Sequence, residues 1–131
     1  MIERPTKRWS DEAAKEEAAI AAGTLDPDEA GTREFWPVEF RDAVDAVLDE
    51  YEAEVSRIDP SNDALLLAAV RHVVEQLNDV DDDHGCIETG EREELGAYID
   101  AVLTMVGVDI EALAARNNIG RDLTDYAGRS W

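Results

Sequence analysis

Asp79, Asp81 and Asp83 stand at alternate positions, which is how a calcium-binding EF-hand loop begins. Such a loop also needs glycine at its sixth position and a bidentate glutamate at its twelfth. Those positions hold His84 and Gly90, so the pattern fails where it is diagnostic. Three clustered aspartates still attract cations, but the plainer expectation is a solvated polar turn over 79–85 that leads into the next helix.

Other constellations fail on similar grounds. Cys86 and His84 give a thiol and an imidazole two residues apart, without the oriented base and oxyanion donors that nucleophilic catalysis requires. A free cysteine of this kind is expected to be half-buried beside Ile87. A carboxylate-bridged di-metal bundle needs Glu-x-x-His pairs, and the sequence has none. His72 and Glu75 lie on the opposite side of their helix from Leu66, Val70 and Val73 and should face solvent. Two histidines and one cysteine are a poor set for zinc, and no glycine-rich phosphate loop is present. No catalytic residue, metal ligand or cofactor is assigned.

More informative are Asp42, Asp45, Asp49 and Glu52, which recur at three- and four-residue spacing. They fall on the face of one helix opposite its apolar stripe. Like charges so placed destabilise a helix by roughly 0.2–0.5 kcal/mol per pair. Arg41 and Arg57 are the only cations nearby in sequence. A helix serving stability alone would intersperse lysine or arginine, so this face is a candidate for a partner.

The elements that must carry these residues are helical. Trp9-Ser10-Asp11-Glu12 reads as a helix start with Ser10 as cap, and the helix should run to Ala22 and stop at Gly23. It is alanine-rich and expected to be peripheral, followed by a linker over 24–32. Pro37 opens a second helix whose Phe40, Val44, Val47, Leu48, Tyr51, Val55 and Ile58 form one stripe. Ser61 caps a third, with Leu66, Val70, Val73, Leu77 and Val80 on one face, widened by Leu67 and Val74. Thr89 caps a fourth, with Leu95, Tyr98, Ile99, Val102, Leu103 and Val106 inward and Gly107 as the stop. Asp109 caps a short helix, and a last helical turn precedes Trp131. No segment alternates like a strand. The expectation is an all-α bundle of three long amphipathic helices plus an N-terminal helix and short C-terminal helices, in one domain over 1–131. Within it, 1–34 form the peripheral helix and linker, and 35–131 the core.

Charge bounds the partners. The 131 residues hold 32 Asp and Glu against 12 Lys and Arg, for a net charge of −20, while 44% hydrophobic residues suffice for a core. Nucleic acid and anionic lipid are poor partners for such a chain. The acid is uneven: residues 39–63 carry nine acids against two arginines, and residues 75–94 nine against one. The single cysteine excludes an intramolecular disulfide, and the absence of an apolar leader or span suits a cytoplasmic protein.

Ile87-Glu88-Thr89-Gly90-Glu91-Arg92-Glu93, with Leu77-Asn78-Asp79 before it and 107–113 after it, resembles a family of small uncharacterised bacterial proteins. Phe35-Trp36-Pro37 and Trp131 match its aromatic-proline helix start and its late tryptophan. The resemblance covers about residues 35–131. It implies helical architecture and no catalytic residues. Within the segment, Thr89 is expected to cap and Arg92 to pair with Glu88 or with the preceding acids, fixing the connection between two helices.

The functional expectation is a non-enzymatic acidic binding protein that occupies a basic surface on another protein, as immunity proteins and nucleic-acid mimics do. Asp42, Asp45, Asp49, Glu52, Asp81, Asp82 and Asp83 would carry the charge, and Trp36 or Trp131 the aromatic anchor. The alternatives are a structural domain whose acidity is solvent adaptation, which the scarcity of lysine also fits, and a divalent-cation-dependent enzyme built on carboxylates of 79–94.

Overall fold

The computed structural model describes residues 3–29, 31 and 35–131. Among these residues run α1 Pro5–Ala21, α2 Val38–Ser56, α3 Asp63–His84, α4 Thr89–Met105, α5 Ile110–Arg116 and α6 Leu123–Tyr126. One 3-10 turn, Pro27–Glu29, lies between α1 and α2, and no strand occurs among the described residues. Ala30 and Thr32, at the end of the expected linker, fall outside those residues.

The apolar stripes explain the assembly. Phe40, Val44, Leu48, Tyr51 and Val55 of α2 and Leu66, Val70, Val73, Val74 and Leu77 of α3 are each at most 2% exposed. Burying each such side chain stabilises the fold by roughly 1.5–3 kcal/mol, which fixes which faces meet. The two helices run antiparallel, because Phe40 meets His84, Glu50 meets Gln76 and Glu54 meets His72. Their connection is held by Asp59, whose carboxylate accepts from the Ser61 amide and hydroxyl. Asn62, not Ser61, then caps α3 by accepting from the Leu65 amide at 3.2 Å. α4 returns along α2, with the Tyr51 hydroxyl donating to the Ile99 carbonyl at 2.8 Å. α5 starts at Asp109, which accepts from the Ala112 amide as expected.

Two stretches depart from the sequence reading. The region 79–84 is no turn: α3 continues through it to Gly85, whose φ of 65° supplies the left-handed stop. Val80 explains this, since it extends the buried stripe by another turn and is 8% exposed. The carboxylate of Asp81 then accepts from the Ile87 amide at 3.1 Å and closes the link to α4.

The first helix is the larger correction. It starts at Pro5, whose missing N–H suits the first helical turn, and Ser10 lies inside it rather than at a cap. Nor is it loosely attached. Trp9 is 0% exposed and stacks on Trp36 and Phe40, with ring centroids 5.9 Å and 5.5 Å away. One large aromatic residue docks a helix whose other side chains are mostly small or polar.

Candidate partner-binding site

The acidic face of α2 is not left open. Arg4, the residue before α1, reaches across to it. Its guanidinium donates to Asp49 at 2.6 Å and to Glu52, and lies 3.4 Å from the Asp45 carboxylate. Thr6 donates to Asp45 at 2.6 Å, and the Tyr98 hydroxyl of α4 donates to Glu52. Three of the four carboxylates singled out on this helix are therefore engaged within the molecule.

The electrostatics follow from that geometry. Partial burial works against the charge on Arg4, but the hydrogen bonds with Asp49 and Glu52 more than offset it and hold its pKa above the ordinary value. Burial, then the hydrogen bond to Glu52, pushes the Tyr98 phenol up to about 12, so it remains a protonated donor. An open cleft of about 740 Å³ runs along this seam between Lys7, Ser10, Asp45 and Tyr98.

Other cations are also spoken for. Arg8 pairs with Glu94 at 2.5 Å, Arg116 with Asp63 at 3.0 Å, Arg121 with Asp100 at 3.1 Å and Arg129 with Asp122 at 3.1 Å. Arg92 forms no ion pair with Glu88 or with the acids before it. It lines a second cleft with Asp100, Arg121, Asp122 and Arg129. Thr89 makes no side-chain cap; Glu88 holds the N-cap position, and Thr89 is already the first helical residue. The expected lock between α3 and α4 is thus made by Asp81 instead.

The tryptophans are placed differently from the expected anchors. Trp131 is 8% exposed and belongs to the core. Asn78 explains its burial: it donates to the Gly128 carbonyl at 3.1 Å and accepts from the Ser130 amide at 3.0 Å, clamping this segment to α3. Trp36 is half-buried against Trp9, donates to Glu91 at 2.9 Å and lies 4.9 Å from the Arg8 guanidinium. It acts as a brace between α1, α2 and α4.

What remains open is one end of the bundle. The Phe40–His84 contact brings the first turn of α2 against the last turn of α3. Asp42, Asp82 and Asp83 are exposed there and have no hydrogen-bonded or ionic partner among the described residues, and the same holds for Glu39. Beside them Phe35 is 60% and Val38 51% exposed. The sequence reading noted Phe35 only as part of the Phe35-Trp36-Pro37 helix start and assigned no binding role to it, to Val38 or to Glu39. Val38 carried a signal, since it lies about 200° round the helix from Phe40 and so off the apolar stripe.

Among the described residues, no group of three His, Cys, Asp or Glu side chains is arranged to hold a metal ion. Burial, then the carboxylates of Asp81, Glu91 and Glu88, pushes the Cys86 thiol up, the reverse of what a nucleophile requires. His72 and Glu75 are exposed, and His72 pairs with Glu54 at 2.8 Å. No described helix is long and apolar enough to cross a membrane. No family model matches the chain, and neither a curated protein nor a solved structure is similar to it at a significant level.

Proposed function

We propose that this is a non-enzymatic acidic binding protein that engages a basic surface on another protein, in the manner of an immunity protein or a nucleic-acid mimic. One observation supports the reading above the rest. The exposed carboxylates of Glu39 and Asp42 near the start of α2 and of Asp82 and Asp83 near the end of α3 have no hydrogen-bonded or ionic partner among the described residues, while Arg4 engages Asp45, Asp49 and Glu52 farther along α2. Charge so placed steers a basic partner into contact and discriminates against acidic ones. The reading locates the pair in the cytoplasm, where a single free cysteine is at ease.

The test is recovery of a basic partner from the native host at low salt. Retention should be lost with Asp42→Lys, Asp82→Lys and Asp83→Lys combined, and kept with Asp125→Lys on α6. If no basic protein is retained, or if both variants behave alike, the reading is wrong. The second reading is a structural domain whose acidity is solvent adaptation. It draws support from exposed acids on other elements, including Glu17, Glu75, Glu111 and Asp125.

A further inference from the structure

The second cleft is set apart from the rest of the molecule by its cations. It encloses about 740 Å³ between α4 and the segment 121–129. Three of the twelve basic residues line it: Arg92 from α4, and Arg121 and Arg129 from the C-terminal segment. Arg92, Gly96 and Asp100 follow at four-residue spacing and so share the α4 face that forms one wall. The carboxylates of the cleft do not use up these arginines. Asp122 is spent within its own segment, accepting from the Thr124 amide and hydroxyl, the Asp125 amide and Arg129. Asp100 accepts one bond at 3.1 Å from a terminal nitrogen of Arg121, and Glu93 is exposed.

A guanidinium carries five N–H donors in a planar fork. Arg121 and Arg129 each commit only one terminal nitrogen to the protein. Arg92 is half-buried and has no hydrogen-bonded or ionic partner among the described residues. Arg129 is nonetheless fixed in place by Asp122, Thr124 and the Trp131 ring, whose centroid lies 5.5 Å from its guanidinium. Gly96 adds a separate observation. It stands in the interior of α4, where glycine costs helix stability relative to alanine. Its φ is not positive, and a Cβ there would meet no atom within 4 Å. Neither backbone conformation nor packing requires a glycine at this position; its bareness widens the cleft below Arg92.

We propose that this cleft binds a small, multiply charged oxyanion, a phosphate ester or a polycarboxylate, through Arg92, Arg121 and Arg129. Guanidinium forks match both kinds of oxyanion with paired N–H···O bonds. The net charge of −20 repels a long polyanion, so the ligand is small: hydrogen bonds decide inside the cleft and the overall field outside it. The site uses none of the exposed acids of α2 and α3 and does not depend on the basic partner proposed above.

Calorimetry on the full chain tests this, with inorganic pyrophosphate in one arm and citrate in the other. At least one probe should saturate a single site with a Kd below about 1 mM. Binding of pyrophosphate alone assigns the site to phosphates, and binding of citrate alone to polycarboxylates. Arg92→Gln should weaken the binding at least about tenfold. Gly96→Leu should abolish it by filling the cleft, while the melting temperature holds or rises. Arg57→Gln removes an exposed arginine at the far end of α2 and should leave the binding unchanged. Saturation by neither probe overturns the inference. So does equal weakening by Arg92→Gln and Arg57→Gln, or wild-type binding by Gly96→Leu. None of these results bears on the basic partner, whose test uses other residues.

Discussion

Two acidic regions of similar composition have opposite fates. On the outer face of α2, Asp45, Asp49 and Glu52 converge on Arg4 and are held there with Thr6 and Tyr98. At the end formed by α2, α3 and the start of α4, Asp42, Asp82 and Asp83 are exposed and have no hydrogen-bonded or ionic partner among the described residues. Local spacing does not distinguish the two. The difference is the delivery of one guanidinium from more than forty residues away, which converts a repulsive cluster into part of the fold. Acid that is internally matched is a structural element; acid left unmatched is available to a partner.

The largest expected effect comes from removing the side chain that carries α1 to its place. Trp9→Ala should destabilise the protein by about 3–5 kcal/mol in urea unfolding, as truncation of a fully buried aromatic residue does. It should also make the two regions alike, because an undocked α1 leaves the α2 acids bare. A loss under 1 kcal/mol would mean that α1 does not depend on Trp9. Next in size is Arg4→Ala, expected to cost about 1.5–3 kcal/mol through the loss of charge-assisted hydrogen bonds. Added salt should restore part of this by screening the three remaining carboxylates, and Arg4→Lys should recover only part, since an ammonium lacks the forked geometry. If the deficit is the same at all salt concentrations, repulsion among those acids is not its source. The smallest effect belongs to Asp82→Asn and Asp83→Asn. These unpaired acids sit at the C-terminal end of α3, where the helix dipole disfavours negative charge. Their replacement should be neutral or stabilising by up to about 1 kcal/mol. A clear destabilisation would reveal a structural duty and weaken the case for an interaction surface.

The sequence disclosed the fold more readily than the site. Every residue assigned to the apolar stripes of α2 and α3 is buried, except Ile58, which packs partly buried against the core. Periodicity works there because one face of each helix is continuous and apolar. It fails for α1, where a single tryptophan does the docking and the start is set by Pro5 rather than by the cap-like Ser10. It also fails at 79–84, where four aspartates suggest a turn and the burial of Val80 outweighs them. The state of the acidic residues was hidden for another reason. Whether a carboxylate is matched depends on contacts such as Arg4 with Glu52, separated by 48 positions, and no local pattern encodes them. Trp131 shows the same limit from the apolar side: its burial depends on Asn78, far away along the chain.

Arg4, Lys7 and Arg8 gather three of the twelve basic residues into five positions, and two of them grip other helices. The opening of α1 thus behaves as a ligand the molecule carries for itself. A tethered ligand acts at an effective concentration on the order of millimolar, so an outside basic segment of ordinary affinity competes poorly for the α2 face. At Asp82 and Asp83, which have no hydrogen-bonded or ionic partner among the described residues, it meets no such tethered rival. Covalent connectivity, more than charge density, therefore decides which of the two surfaces a visitor can enter.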